Sequence, residues 1–167
     1  MKQLSLGLLL VSLVFLHESA WPGGWGRTFT IELHGDAFAK PLAITDPSTV
    51  GGLSFWVGPG TGYSDFMGPV NLELSIVDWE RGEAAKRPKG LASYEVRFLL
   101  EPQDDPSAYI VLYEPDPVNN SGYIYYPAKS NSIVAHGVSG TWRYASPRWN
   151  DNVSAAISEH LKDHSVR

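Results

Sequence analysis

Apolar residues along most of this chain recur at every second position, in short runs cut by Gly and Pro, and that period leaves little choice other than a sheet. A strand turns successive side chains to opposite faces, so alternation marks a half-buried strand. Thr28 to Leu33 puts Phe29, Ile31 and Leu33 on one face against Thr28, Thr30 and Glu32. Val70 to Val77 sets Leu72, Leu74 and Ile76 opposite Glu73 and Ser75, and Tyr94 to Leu100 sets Tyr94, Val96, Phe98 and Leu100 opposite Glu95 and Arg97. Tyr109 to Tyr113 is apolar on both faces, which predicts a central strand covered on both sides. Gly122 to Tyr126, Ile133 to His136 and Gly140 to Tyr144 follow, with shorter strands predicted at Leu42 to Thr45 and Ser54 to Val57.

Two helix starts interrupt this pattern. Asp46-Pro47 offers a capping carboxylate followed by Pro at the first helical position, and Gly51-Gly52 stops that helix within about two turns. Ser146-Pro147 repeats the signal. After it, Trp149, Val153, Ala156, Ile157, His160 and Leu161 recur at helical spacing, which predicts one amphipathic helix from Pro147 to about Leu161 with Asn150 on its exposed side. A sheet with a bare apolar face needs such a cover. The fold expected is therefore mainly β: an antiparallel twisted sheet or small open barrel with the C-terminal amphipathic helix packed on it, or alternatively a β-sandwich.

The first twenty residues differ from the rest. Lys2 is followed by an apolar run from Leu4 to Leu16, then by His17, Glu18, Ser19 and Ala20. A positive start, a short apolar stretch and a small residue at a cut site read as a secretory signal peptide, and the run falls short of the roughly 20 residues that a spanning helix needs. Residues 1–20 are thus read as a leader and residues 21–167 as a single β-rich domain, long enough for one core. The expected location is periplasmic or secreted, with no stable membrane insertion after cleavage. There is no cysteine, so an exported chain of this kind relies on packing rather than disulfides. A net charge of −5 argues against nucleic-acid partners.

The segments Pro41-Leu42-Ala43-Ile44-Thr45-Asp46-Pro47 and Gly122-Tyr123-Ile124-Tyr125-Tyr126-Pro127, with Val77-Asp78-Trp79 between them, resemble a family of uncharacterised exported bacterial proteins. The resemblance implies an envelope or secreted location. It carries no activity and no site residues.

Chemical motifs are sparse. His160 and His164 lie one helical turn apart and could share a zinc ion, but further ligands would have to come from His34 or His136; a solvated helix end explains the pair more simply. Gly137-Val138-Ser139-Gly140-Thr141 begins like a nucleophile elbow, yet it lies between two predicted strands, so a hairpin turn is the better reading of Ser139. Gly58-Pro59-Gly60-Thr61-Gly62 lacks the Gly-Lys-Ser/Thr ending of a phosphate loop. Asp78 and Glu80 flank Trp79, where an indole could raise a carboxyl pKa, but a general acid needs a second carboxylate across a cleft. The acidic stretches Glu101 to Asp105 and Glu114 to Asn120 fall at opposite ends of the Tyr109 strand in a meander, too far apart to share a calcium ion. Lys86-Arg87-Pro88-Lys89 has no interleaved aromatics and reads as a solvated loop.

The aromatic excess is the most informative feature. Tyr109, Tyr113, Tyr123 and Tyr125 lie on neighbouring strands; in one register they line a single face, and a slip by one residue turns half of them away. Exposed, that face could stack on a glycan or hold a protein; buried, it is sheet packing through cross-strand aromatic pairs, the better reading of the two. No metal and no cofactor is expected. The function expected is that of an exported, non-catalytic binding or structural protein of the envelope or extracellular space, with a protein or glycan as ligand. The alternative is an extracytoplasmic hydrolase acting on glycan or peptide through Asp78, Glu80, His34 and His136. The leader makes one direct forecast: N-terminal sequencing of protein from its natural host should start near Trp21, and an intact Met1 on cytosolic material would contradict it.

Overall fold

The computed structural model describes residues 27–53, 58, 71–101, 109–127 and 139–165. The leader, the strands expected at 54–57 and 133–136, and His136 lie outside the described residues. Six strands form one open antiparallel sheet: β1 (Arg27–His34), β2 (Leu42–Ile44), β3 (Tyr94–Glu101), β4 (Tyr109–Asp116), β5 (Ser121–Tyr125) and β6 (Trp142–Tyr144). Their spatial order is β2-β1-β3-β4-β5-β6. The helices are α1 (Pro47–Gly51) and α2 (Pro147–Ser165). The predicted architecture is therefore observed, as a sheet with a helical cover.

The alternation is followed closely in β1 and β3. Ile31 pairs with Phe98 and Leu33 with Val96, and all four are buried on the inner face. Near its start β1 departs from strict period two. Thr28 pairs with Leu100 and Thr30 with Leu99, so Phe29 is the extra residue of a bulge. β4 lies inside the sheet as predicted, and Val111 and Tyr113 are buried. Its other face is less covered than expected, because Ile110 and Leu112 are only half-buried.

Val70 to Val77 is not the predicted strand. Asn71 caps a short 3-10 turn over Leu72–Leu74, its side chain accepting the Glu73 N–H, and the Ser75 hydroxyl accepts the Val77 N–H at 3.1 Å. These side chains take backbone donors that a ladder would need, which is how Asn and Ser compete with regular structure. Leu72 is 43% exposed, whereas Ile76 and its neighbour Val77 are both buried, a pattern that a one-faced strand cannot produce. Val77 instead bridges to Ala145 and Glu83 to Arg143, so the segment runs beside β6.

Helix α2 starts where the sequence says. The Trp149 N–H donates to Ser146 Oγ at 3.3 Å, and the same hydroxyl donates to the Ser75 carbonyl at 2.6 Å, which fixes the helix start to the 75–77 segment. Trp149, Val153 and Ile157 are buried against Phe98, Tyr113 and the rest of the inner face. Each such side chain stabilises the fold by roughly 1.5–3 kcal/mol. The helix runs a turn past the predicted end, and there its apolar stripe leaves the sheet: Leu161 is exposed.

Asn150 corrects the sequence reading, for it is buried and not exposed. Its Oδ1 accepts the Tyr113 hydroxyl at 2.8 Å, and Ser154 Oγ lies 2.9 Å from that hydroxyl. Gly122 makes the reach possible. A Cβ there would meet the Tyr113 ring at 2.6 Å and Asn150 Oδ1 at 2.9 Å. Ile157→Asp should cost about 2–4 kcal/mol by burying a charge under the helix. Asn150→Ala should cost about 1–3 kcal/mol, because it strands the Tyr113 hydroxyl. Urea midpoints of the two variants measure both, and an Asn150→Ala midpoint equal to wild type would contradict the anchor.

Candidate functional site

The four tyrosines singled out in the sequence do not share a face. Tyr113 pairs with Ile124, and Leu112 with Tyr125, so the register sends Tyr113 and Tyr109 to the helix side and Tyr123 and Tyr125 to the other. On that outer side Tyr123 and Tyr125 stand opposite Tyr144 and Trp142, with ring centroids 5.5 and 5.1 Å apart. Arginines already cover these rings. The Arg81 guanidinium lies 3.7 Å above the Tyr144 ring, and that of Arg87 lies 4.1 Å above Trp142. Arg87 also pairs with Glu114 at 3.3 Å. It is therefore packed rather than free in a solvated loop, and the Glu114 carboxyl is pushed above its ordinary range by burial, partly offset by Arg87. The outer aromatic patch is thus a set of ring–guanidinium layers with little open ring surface.

Of the candidate catalytic groups, the described ones, His34, Asp78 and Glu80, do not converge. His34 hydrogen-bonds Glu32 at 3.0 Å on β1, where Glu95 and Arg97 of β3 lie opposite. Asp78 accepts the Arg81 N–H at 3.2 Å in a turn beyond β6, the far side of the sheet. Five strand spacings separate the two, roughly 24 Å. Glu80 is exposed in the same turn as Asp78. Trp79 is turned away: its indole N–H donates to Ser75 Oγ at 2.8 Å, and its ring lies so close to Gly58 that any Cβ there would clash. His160 packs edge-on against Phe38 with centroids 5.1 Å apart, and no group of three metal-ligating side chains occurs among the described residues. Ser139 precedes Gly140, whose φ of +85° and N–H bond to the Tyr126 carbonyl form the turn into β6.

A cleft of about 450 Å³ opens elsewhere, between the first half of α2, the β4–β5 turn and residues 90–94. Asn150, Ser154 and Ser158 enter it from the helix, spaced four apart so that one polar stripe runs beside the buried Trp149, Val153 and Ile157. Asp116 and Tyr94 form the opposite walls. The Asp116 carboxylate is buried and accepts both the backbone and the amide N–H of Asn119, at 3.2 and 2.8 Å, which folds the tight turn where Asn120 takes a φ of +45°. Tyr94 stacks on Phe38 at 5.1 Å, and burial raises its pKa.

Two groups lining this cleft make no hydrogen bond to another described residue. Asn150 is 6% exposed and its oxygen is taken by Tyr113, but its amide nitrogen has no hydrogen-bond partner among the described residues. Tyr94 is 4% exposed, and its hydroxyl likewise has none. Neither atom is sealed off, so solvent reaches both. Both groups therefore present hydrogen-bonding capacity to whatever enters the cleft. Polar groups open to a concave site can bond to a molecule that enters it.

Helix α2 is not apolar enough to cross a membrane, nor is any other helix among the described residues. No protein-family model, curated protein or solved structure matches the chain.

Desolvation pushes the Tyr113 pKa up to about 12 from 10.0, outweighing the hydrogen bond from Ser154. The folded state thus holds this proton more tightly than the unfolded chain does. Its contribution is whole below pH 10 and is lost as pH rises toward 12. Tyr113→Phe should be less stable than wild type near neutrality, and that gap should narrow by about 2–3 kcal/mol as pH climbs through this range. Denaturant midpoints across the alkaline range check it; a gap that stays constant would contradict it.

Proposed function

We propose that this chain is an exported, non-catalytic binding protein that takes a small ligand into the cleft between α2 and the β4–β5 turn. One observation carries the reading: the Asn150 amide and the Tyr94 hydroxyl, in side chains otherwise packed into the fold that line the cleft, have no hydrogen-bond partner among the described residues.

Binding without turnover fits the chemistry of the walls. Among the described lining residues Asp116 is the one acid, and its carboxylate oxygens already hold the turn. Glycoside hydrolysis calls for a pair of carboxyl groups. The Ser154 hydroxyl touches Tyr113, whose raised pKa keeps it protonated near neutrality and unable to act as a base. The Lys2 to Ala20 pattern supports export, and the two segments that resemble exported bacterial proteins point the same way.

The expected result of a thermal-shift screen with neutral sugars, sugar acids, amino acids and dipeptides is at least one ligand that raises Tm by about 5 °C near saturation. Ser158→Trp, which fills the mouth from an exposed position, should abolish the shift. Chromogenic glycosides and casein should stay intact. Turnover that disappears in Asp116→Asn would instead install the hydrolase.

A further inference from the structure

Resting on that reading, we infer that the ligand is a neutral sugar, one ring of which enters the cleft. Charge is the first argument. Among the described residues neither Lys nor Arg lines the cleft, and the one charged residue there is Asp116. Asp151 adds a second negative field felt at the neighbouring Tyr113 hydroxyl. An anionic ligand would be repelled. A cation would find Asp116 already engaged by Asn119 and, at 3.4 Å, by the Tyr123 hydroxyl.

Hydrogen-bond type is the second argument. The Asn150 amide can only donate, whereas the hydroxyls of Tyr94 and Ser158 donate and accept. A ligand must therefore offer acceptors to the first and both capacities to the others, and sugar hydroxyls do this in a fixed ring. A peptide backbone would bring N–H groups needing strong acceptors, but the cleft's one carboxylate is committed to the turn. Shape is the third argument. Leu91, Pro115 and Ile157 line the cleft together with the polar groups, which suits the C–H faces of a pyranose. The volume of about 450 Å³ falls within the range of small-ligand sites.

The test is NMR titration of the full-length mature protein with glucose, galactose, mannose and N-acetylglucosamine, each beside glucuronate and the dipeptide Ala-Ala. At least one neutral sugar should move the amide signals of residues 94, 150, 154 and 158 saturably, and glucuronate should bind at least tenfold more weakly. Tyr94→Phe removes a hydroxyl with no hydrogen-bond partner among the described residues. The fold should therefore survive, and sugar affinity should fall about tenfold. Ser158→Trp should block binding while leaving the spectrum of the sheet unchanged. If Ala-Ala or glucuronate moves these signals and the neutral sugars do not, the sugar assignment is overturned and the binding reading stands. If none of the probes moves them, or if Tyr94→Phe and Ser158→Trp bind a sugar as wild type does, the cleft is not the site and both fall.

Discussion

The hydroxyl of Tyr113 joins sheet and helix, and much of the rest follows from that junction. It donates to Asn150 Oδ1 and lies within hydrogen-bond distance of Ser154, so one oxygen from the middle of the sheet fixes both the rotation and the height of α2. Apolar contacts alone would hold the helix less specifically, since Trp149, Val153 and Ile157 could slide over a smooth face. The rotation decides which helical residues meet the sheet and which meet the cleft. It also consumes the Asn150 oxygen, leaving that side chain's amide group as the part available to a ligand.

Much of this architecture was legible in the chain. Period-two alternation located β1, β3 and β5, and Ser146-Pro147 located the start of α2, because these signals are local and the tertiary structure reinforces them. Val70 to Val77 misled because alternation reports faces, not backbone partners; Asn71 and Ser75 diverted the N–H groups that a ladder required. The tyrosine face failed for a related reason. Register is set by cross-strand pairing, and the pairing of Tyr113 with Ile124 cannot be read from either strand alone.

The cleft was less visible still. Asn150, Ser154 and Ser158 do form a stripe at helical spacing, and the stripe is plain once the helix is known. Amphipathic reasoning assigns such residues to solvent, and for most helices that is correct. What turns the stripe inward is its neighbours. Tyr94 and Asp116 are remote from α2 in sequence and arrive only through the sheet. A site assembled from the side of a helix, the end of a hairpin and the entry to a strand leaves no compact motif. Arg87 was obscured in the same way: the loop around it is polar, but Trp142 comes to it from a distant strand.

The two rims of the sheet have a further consequence. At one rim β2 is three residues long, with Pro41 directly before it. At the other, Val77 and Glu83 bridge to the β6 side, and the Asp78 and Ala84 N–H groups bond the Tyr144 and Trp142 carbonyls at 2.9 and 2.8 Å. Neither described rim thus offers a long row of unpaired amides on which a second chain could lay itself down. A short strand and an occupied flank both discourage sheet-to-sheet self-association. In a chain with no cysteine, that discouragement lies in backbone geometry.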